Sequence, residues 1–164
     1  GDMTRLDRSL ADMQDRYGRT AYAEQAALLA ARVYYDKGNL DASKGALGWV
    51  VSKASDEGYQ SIAKLRLSGI LLEAKAYDEA LAQVSGSMPK PFAALAADRR
   101  GDILVAQGKK AEATAQYQTA FNEFDPQSEY RRLVEVKLNA LGVDPVGAAE
   151  AASAAGAPVS GSAK

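Results

Sequence analysis

The side chains that most often carry covalent catalysis are missing from this sequence, which contains no histidine and no cysteine. Mechanisms that need an imidazole or a thiolate are therefore excluded, as are zinc sites built on either residue type and haem bound through a histidine. The remaining acidic candidates, Asp41, Asp78 and Glu79, stand where helices are predicted to begin, and acidic side chains there favour the helix dipole. We expect no catalytic residue, no metal ion and no cofactor.

The charge pattern does not indicate a nucleic-acid or nucleotide partner. Lysines and arginines number 20 against 21 aspartates and glutamates, whereas nucleic-acid binding needs a basic surplus or stripe. The basic pairs Arg99-Arg100 and Arg131-Arg132 have acidic neighbours, which argues against phosphate binding. The glycine-containing segment 45–48 lacks the Lys-Ser/Thr end of a phosphate-binding loop.

The elements that must position any functional residue are predicted to be helices. The chain of 164 residues is 47% apolar, which suits one ordinary globular domain. Apolar residues recur at spacings of three and four, and no alternating run is long enough for a strand. No run approaches the ~18–20 apolar residues of a membrane helix. The predicted helices span about 5–16, 21–36, 40–54, 60–74, 77–85, 92–107, 110–123 and 127–141.

Capping residues and breakers set the predicted helix ends. Thr4 should open the first helix, Asn39 the third, and Asp125 with Pro126 the last. The Met-Pro-Lys-Pro segment 88–91 should interrupt the chain before the sixth helix, because proline lacks the amide donor and disfavours helix before it.

The chain is predicted to have three parts. Residues 1–19 form an N-terminal helix that packs on the first repeat, and residues 20–142 form a repeat domain with a C-terminal capping helix. Residues 143–164 are rich in alanine, glycine and serine, too small to offset the ordering entropy of ~1–2 kcal/mol per residue, so we expect a flexible tail with at most a marginal helix at 146–155.

An internal repeat is the main signal in the sequence. Aligning Gly38, Lys75 and Gly108 gives periods of 37 and 33 residues. Around these turns, small and large side chains alternate at matched positions. The small set before the turn is Ala31, Ser68 and Gly101, the large set is Tyr34, Leu71 and Leu104, and the small set after it is Ser43, Ala80 and Ala113. Small residues let two antiparallel helices approach closely while large ones fill the grooves, so each unit is predicted to be a helix hairpin.

Two-helix units near 34 residues are typical of tetratricopeptide repeats. We therefore predict an all-α fold, a tetratricopeptide-like stack of about three helix hairpins with flanking N- and C-terminal helices. Segment 100–113 fits the tetratricopeptide pattern most closely, and the first two units diverge more. The alternative is a generic helical bundle with chance spacing.

A narrower resemblance covers about residues 20–141. Its most specific parts are Leu-Arg-Leu at 65–67, Ala-Asp-Arg-Arg-Gly-Asp at 97–102 and Lys-Leu-Asn-Ala-Leu at 137–141. In these segments the chain resembles the tetratricopeptide-like periplasmic domain of the ancillary subunit of the bacterial Sec translocon. The resemblance implies protein partners, namely the translocon, a periplasmic chaperone and unfolded polypeptide segments. It also implies a periplasmic domain anchored to the inner membrane by an N-terminal helix that this chain lacks.

In a tetratricopeptide stack, the first helix of each hairpin lines a groove that binds a peptide or a partner helix. Carried over in register, the predicted groove residues are Gln25, Arg32, Tyr35, Asp36, Ile62, Leu72, Glu73, Leu95, Asp102 and Val105. This set is apolar with scattered charge, and no cluster of basic residues that would clamp a carboxylate is expected in it. The alternative for the apolar members is core packing, and for the charged members a solvated surface.

The repeat pattern favours a non-catalytic protein-interaction module. The resemblance further implies a module of the secretion machinery, which would pass emerging polypeptides to periplasmic chaperones. A second hypothesis is a tetratricopeptide adaptor or outer-membrane assembly factor with a different partner. An enzyme that uses serine, lysine or carboxylates is disfavoured, because no catalytic constellation is found in the sequence.

Overall fold

The structure is a computed structural model that describes residues 2–147. These residues contain eight α-helices, a further short helical segment at 145–147 and no strand, so the all-α prediction is confirmed. The helices are α1 (Asp2–Tyr17), α2 (Ala21–Asp36), α3 (Leu40–Lys53), α4 (Glu57–Glu73), α5 (Tyr77–Val84), α6 (Lys90–Ala106), α7 (Lys110–Glu123) and α8 (Glu129–Ala140). Of the predicted tail 143–164, residues 143–147 are described, and Val143 packs against the core cluster of α6 to α8. The part from residue 148 onward, with most of the predicted marginal helix, lies outside the described residues. No helix within the described range is long and apolar enough to cross a membrane.

Three helix hairpins follow one another along the chain. They are α2 with α3, α4 with α5, and α6 with α7, and each pair is joined by a three-residue connection. The first helices also contact one another in order, α2 with α4 and α4 with α6. Consecutive hairpins therefore stack side by side, and their first helices form a common surface, called here the first-helix face.

The connections share one backbone conformation, which explains the repeated turn pattern. Gly38, Lys75 and Gly108 all have positive φ angles, of 76°, 60° and 76°. In each connection the next amide donates to a carbonyl five residues back, as from Asn39 to Tyr34 at 2.8 Å, and so satisfies an open helix end. Glycine adopts this conformation without strain, whereas a lysine does so at a cost.

Helix α8 ends in the same way, one repeat length after the third hairpin turn. Gly142 has a φ of 85°, and the Val143 amide donates to the Leu138 carbonyl at 3.0 Å. Ser128, not Asp125, caps the start of α8, because the Asp125 carboxylate accepts from the Gln127 amide at 2.7 Å and closes a turn before the helix. Helix α8 thus has the turn of a further first helix, beyond the capping role predicted for it.

The alternation of small and large residues packs the hairpins as expected. Ala31, Ser68 and Gly101 are buried, and a β-carbon built on Gly101 would come within 3.0 Å of the Tyr117 ring on α7. The core runs continuously from α2 to α6 in one cluster and from α6 to α8 in a second.

Three other predicted helix starts were wrong. Helix α4 begins at Glu57, three residues before the predicted start, because the Asp56 carboxylate caps it by accepting from the Tyr59 amide at 3.0 Å. Helix α1 begins at Asp2, so Thr4 lies inside it, and α6 begins at Lys90, so Pro91 lies in its first turn. Proline is tolerated there because the first amides of a helix have no partner within the helix. Asn39 caps α3 as predicted, accepting from the Ala42 amide at 3.2 Å.

Candidate interaction surface

A cavity of about 350 Å³ opens on the first-helix face between the first two hairpins. Its walls come from α2, α3, α4 and α6. The apolar part is formed by Ala31, Tyr35, Leu47 and Ile70, and the polar part by Arg32, Ser43, Arg66, Glu73 and Arg99, with Gly69 between them. Cavities with an apolar wall and a few convergent polar groups are the common form of binding sites.

Two of the three arginines reach back over the preceding first helix. Arg66 on α4 donates from Nη1 to the carbonyl of Leu28 on α2 at 3.4 Å. Arg99 on α6 lies over α4, where a β-carbon built on Gly69 would be 2.9 Å from its Nη1. Among residues 2–147, no carboxylate lies within 4.0 Å of either guanidinium.

The acidic side of the cavity is formed by Glu73, which is bound to Tyr35. The Tyr35 hydroxyl donates to both carboxylate oxygens of Glu73, at 2.9 and 3.0 Å, and so links α2 to α4. This hydrogen bond, together with the negative charge of Glu73, raises the pKa of Tyr35 above its ordinary value. Among the described carboxylates, Arg32 pairs only with Asp36, at a long distance of 3.9 Å, and both side chains are exposed.

The same face has a different character at the third hairpin. Lys137 on α8 lies between Asp98 and Asp102 of α6, with its Nζ 2.7 Å and 2.8 Å from their Oδ1 atoms. The Tyr117 hydroxyl on α7 also donates to Asp102, at 2.7 Å. Helix α8 therefore covers this part of α6 with a closed network of charges.

Burial and hydrogen bonding together shift the pKa values of the groups in that network. Burial raises the pKa of Asp98, and Lys137 offsets only part of this effect. Burial alone would lower the pKa of Lys137, but its hydrogen bonds to Asp102 and Asp98 outweigh burial and raise it. Burial, then the hydrogen bond to Asp102, raises the pKa of Tyr117.

Comparison with known proteins places this architecture in a family. The family model described as a tetratricopeptide repeat-like domain matches residues 1–143. The chain belongs to the tetratricopeptide repeat-like domain family. Three curated relatives all have the name ancillary SecYEG translocon subunit, which confirms the resemblance found in the sequence.

These relatives come from three bacteria. The protein of Neisseria gonorrhoeae is 35% identical over 136 residues, which is 83% of this chain and 65% of that protein. The Escherichia coli protein is 26% identical over 125 residues, covering 76% and 60% of the two chains, and the Haemophilus influenzae protein is 32% identical over 123 residues, covering 75% and 59%. The chain thus spans 59–65% of the length of these relatives. No solved structure gives a significant match.

Within this tetratricopeptide-like domain, nine of the ten predicted groove residues fall into three groups. Arg32, Tyr35 and Glu73 line the cavity. Gln25, Asp36 and Val105 are exposed elsewhere, and Gln25 donates to the hydroxyl of Tyr59. Ile62, Leu72 and Leu95 are half-buried, and the first two pack against the core.

Asp102 is the predicted groove residue whose surroundings differ most from the expectation of an open groove. It is paired with Lys137 and Tyr117, because α8 lies over α6 as the next first helix would. Asp102 therefore links α6 to α7 and α8 within the domain.

The predicted groove set contains no basic cluster, whereas three arginines, Arg32, Arg66 and Arg99, line the cavity. Arg66 and Arg99 were not assigned to the groove, although they occupy equivalent positions, nine residues before Lys75 and Gly108. Applying the repeat register to Arg66 would have revealed the pair. What the sequence could not show is that both side chains reach back across the neighbouring helix.

The domain architecture and the surface composition suit binding and point to a non-catalytic role. Within residues 2–147, no group of acidic side chains is arranged to hold a metal ion. The cavity can offer hydrogen-bond donors and an apolar wall to a ligand, with three guanidinium groups against one carboxylate.

Proposed function

We propose that the chain is the polypeptide-binding part of a Sec translocon ancillary subunit, where it contacts emerging chains and passes them to periplasmic chaperones. The observation that carries this proposal is the shared name of the three relatives, ancillary SecYEG translocon subunit, over three quarters or more of this chain. The tetratricopeptide repeat-like domain supports a role in protein interaction.

The first-helix face has a composition that suits brief contacts with unfolded segments. Tyr22 and Leu29 on α2 are 76% and 65% exposed, although both are large and apolar. They lie on the same helix as Arg32 and Tyr35 of the cavity. A surface that combines exposed apolar groups with charged ones can hold many sequences weakly, which suits a protein that must release its client.

The proposal includes the cellular setting. The domain works in the periplasm beside the translocon, and a membrane anchor in the longer parent protein keeps it there. This part rests on the resemblance of segments 65–67, 97–102 and 137–141 to the family, and on the translocon named in its relatives.

Site-specific photocrosslinking in cells tests the proposal. A photoreactive phenylalanine analogue is placed at Leu29 on the first-helix face in the full-length parent protein. The matched control is Thr119, an exposed residue of α7, which is the second helix of the third hairpin. We expect Leu29 to crosslink to translocon subunits, to exported chains during their passage and to a periplasmic chaperone, whereas Thr119 yields few of these products.

Two results would contradict the proposal. Equal products from both positions would show that the first-helix face is not the contact surface. Crosslinks only to outer-membrane assembly proteins would favour the alternative of an adaptor with a different partner.

A further inference from the structure

We propose that the cavity lined by Arg32, Arg66 and Arg99 binds the side-chain carboxylates of an acidic peptide segment with apolar residues beside them. The inference deepens the proposed function, on which it rests, by naming the chemistry of the polypeptide that this face selects. The site is called the arginine cavity below.

The charge balance of the arginine cavity is the first argument. Three guanidinium groups line it against the single carboxylate of Glu73, although the whole chain has a net charge of −1. Glu73 is already bound by the Tyr35 hydroxyl at 2.9 Å, and no carboxylate among residues 2–147 lies within 4.0 Å of Arg66 or Arg99. Guanidinium groups form strong hydrogen bonds, often two at once, with carboxylates and phosphates, so the complementary ligand is an anion, and in a polypeptide that anion is a carboxylate.

The repeat itself supplies the second argument, because it contains a filled version of a similar junction. In register, Gly69 of the second hairpin corresponds to Asp102 of the third, and Leu65 corresponds to Asp98. At the third hairpin, the two aspartates bind Lys137 from the next helix at 2.7 and 2.8 Å. At the second, the equivalent positions have no carboxylate, although a cation from the next helix, Arg99, lies over Gly69. A carboxylate from another molecule can take the place that the chain leaves vacant.

The walls of the arginine cavity favour a peptide over a free anion. Leu47 and Ile70 form an apolar floor, and the volume of about 350 Å³ exceeds the need of a single carboxylate. An apolar side chain next to an acidic one fits both parts of this surface.

Binding of a defined peptide tests the inference without the translocon, so failure here is distinguishable from failure of the proposed function. The probe is a short peptide of alternating glutamate and leucine with an amidated C-terminus and a neutral dye, followed by fluorescence anisotropy. We expect saturable binding that weakens with added salt, and no binding of the same peptide with glutamine in place of glutamate.

Substitutions locate the site. Arg66→Gln combined with Arg99→Gln should weaken binding about tenfold or more, because each removes a charge-assisted hydrogen bond. The matched control, Arg5→Gln with Arg8→Gln, removes the same charge from exposed residues of α1 and should change affinity less than about twofold.

Gly69→Asp provides a second test that does not depend on removing an arginine. The new carboxylate stands beside Arg99, as Asp102 stands beside Lys137, and should abolish peptide binding while helicity and the unfolding midpoint are retained. Gly69→Asn has a similar size without charge and should keep most of the binding.

Four results would overturn the inference. These are equal loss of affinity in the arginine-cavity and α1 variants, unchanged binding by Gly69→Asp, and displacement of the peptide by inorganic phosphate at matched ionic strength. The fourth is stronger binding of a glutamine peptide with a free C-terminus, which would assign the site to a terminal carboxylate.

Discussion

The first-helix face has one junction that is closed by charge pairs and another that is left open. Between α6 and α8, Lys137 is held by Asp98 and Asp102 at 2.7 and 2.8 Å. Between the first helices of the earlier hairpins, Arg66 and Arg99 line a cavity, and no carboxylate among the described residues lies within 4.0 Å of either guanidinium. The same repeat therefore produces a structural contact at one end and a candidate binding site at the other.

The difference comes from a few side chains, since the backbone repeats closely. The turns at Gly38, Lys75 and Gly108 are alike, and α8 ends with the same motif at Gly142. Identical backbone positions thus carry different chemistry. In this repeat domain, the candidate binding site differs from the closed junction in its side chains at equivalent repeat positions, and not in its backbone.

The largest effect is expected where the third hairpin is tightest. Gly101→Ala should lower the free energy of unfolding by about 2–3 kcal/mol, because its β-carbon would overlap the Tyr117 ring. Urea unfolding followed by circular dichroism measures this. Ser68→Ala at the equivalent position should instead raise the free energy of unfolding by about 1 kcal/mol, because Ser68 Oγ is buried with no hydrogen-bond partner among the described residues. If both substitutions lower the free energy of unfolding, the second and third hairpins pack alike and the contrast between them is wrong.

The next effect separates the closed junction from the open one. Lys137→Met should cost about 1–2 kcal/mol of unfolding free energy, because it leaves Asp98 and Asp102 facing each other in a half-buried site. Arg66→Met removes a cation that no carboxylate of the described residues binds, and should change the free energy of unfolding by less than about 0.5 kcal/mol. If the two substitutions cost the same in urea unfolding, the contrast between the junctions is wrong.

A smaller gain is expected at the turn of the second hairpin. Lys75 has a φ of 60°, where its counterparts are glycines, so Lys75→Gly should raise the unfolding free energy by about 1 kcal/mol. Lys75→Ala is the matched control, since alanine keeps the strain and removes only the charge. A gain from alanine equal to that from glycine would assign the effect to charge.

The weakest effect concerns alkaline pH at two tyrosines that donate to aspartates. Burial, then the hydrogen bond to Asp7, raises the pKa of Tyr34 from 10.0 to about 12, and Tyr117 is shifted in the same direction through burial and Asp102. A raised pKa in the folded state means that the stabilisation is complete below pH 10.0 and is lost as pH rises towards 12. The unfolding midpoints of Tyr34→Phe and of the unsubstituted chain should therefore converge over this pH range. If the difference between the two midpoints stays constant as pH rises, the raised pKa of Tyr34 is contradicted.

The sequence was sufficient for the fold because its signals are local and repeated. The glycines of the turns and the small residue at Gly101 follow directly from helix-hairpin packing, and each was predicted. The start of α8 was missed by two residues, because Asp125 and Ser128 both suit a helix cap and only the turn at Gln127 decides between them. The repeat register could pair Arg66 with Arg99, but it could not predict that they meet in one cavity. Long side chains cross from one helix to the next, and the register alone does not give their direction.

The most direct measurement is NMR of the arginine side chains during titration with the glutamate–leucine peptide. The account predicts shifts of the Nε–Hε signals of Arg32, Arg66 and Arg99 that saturate together, while Arg132 on α8 stays unchanged. Shifts centred on α8, or spread evenly over all arginines, would contradict the claim that the open junction of the first-helix face is the binding site.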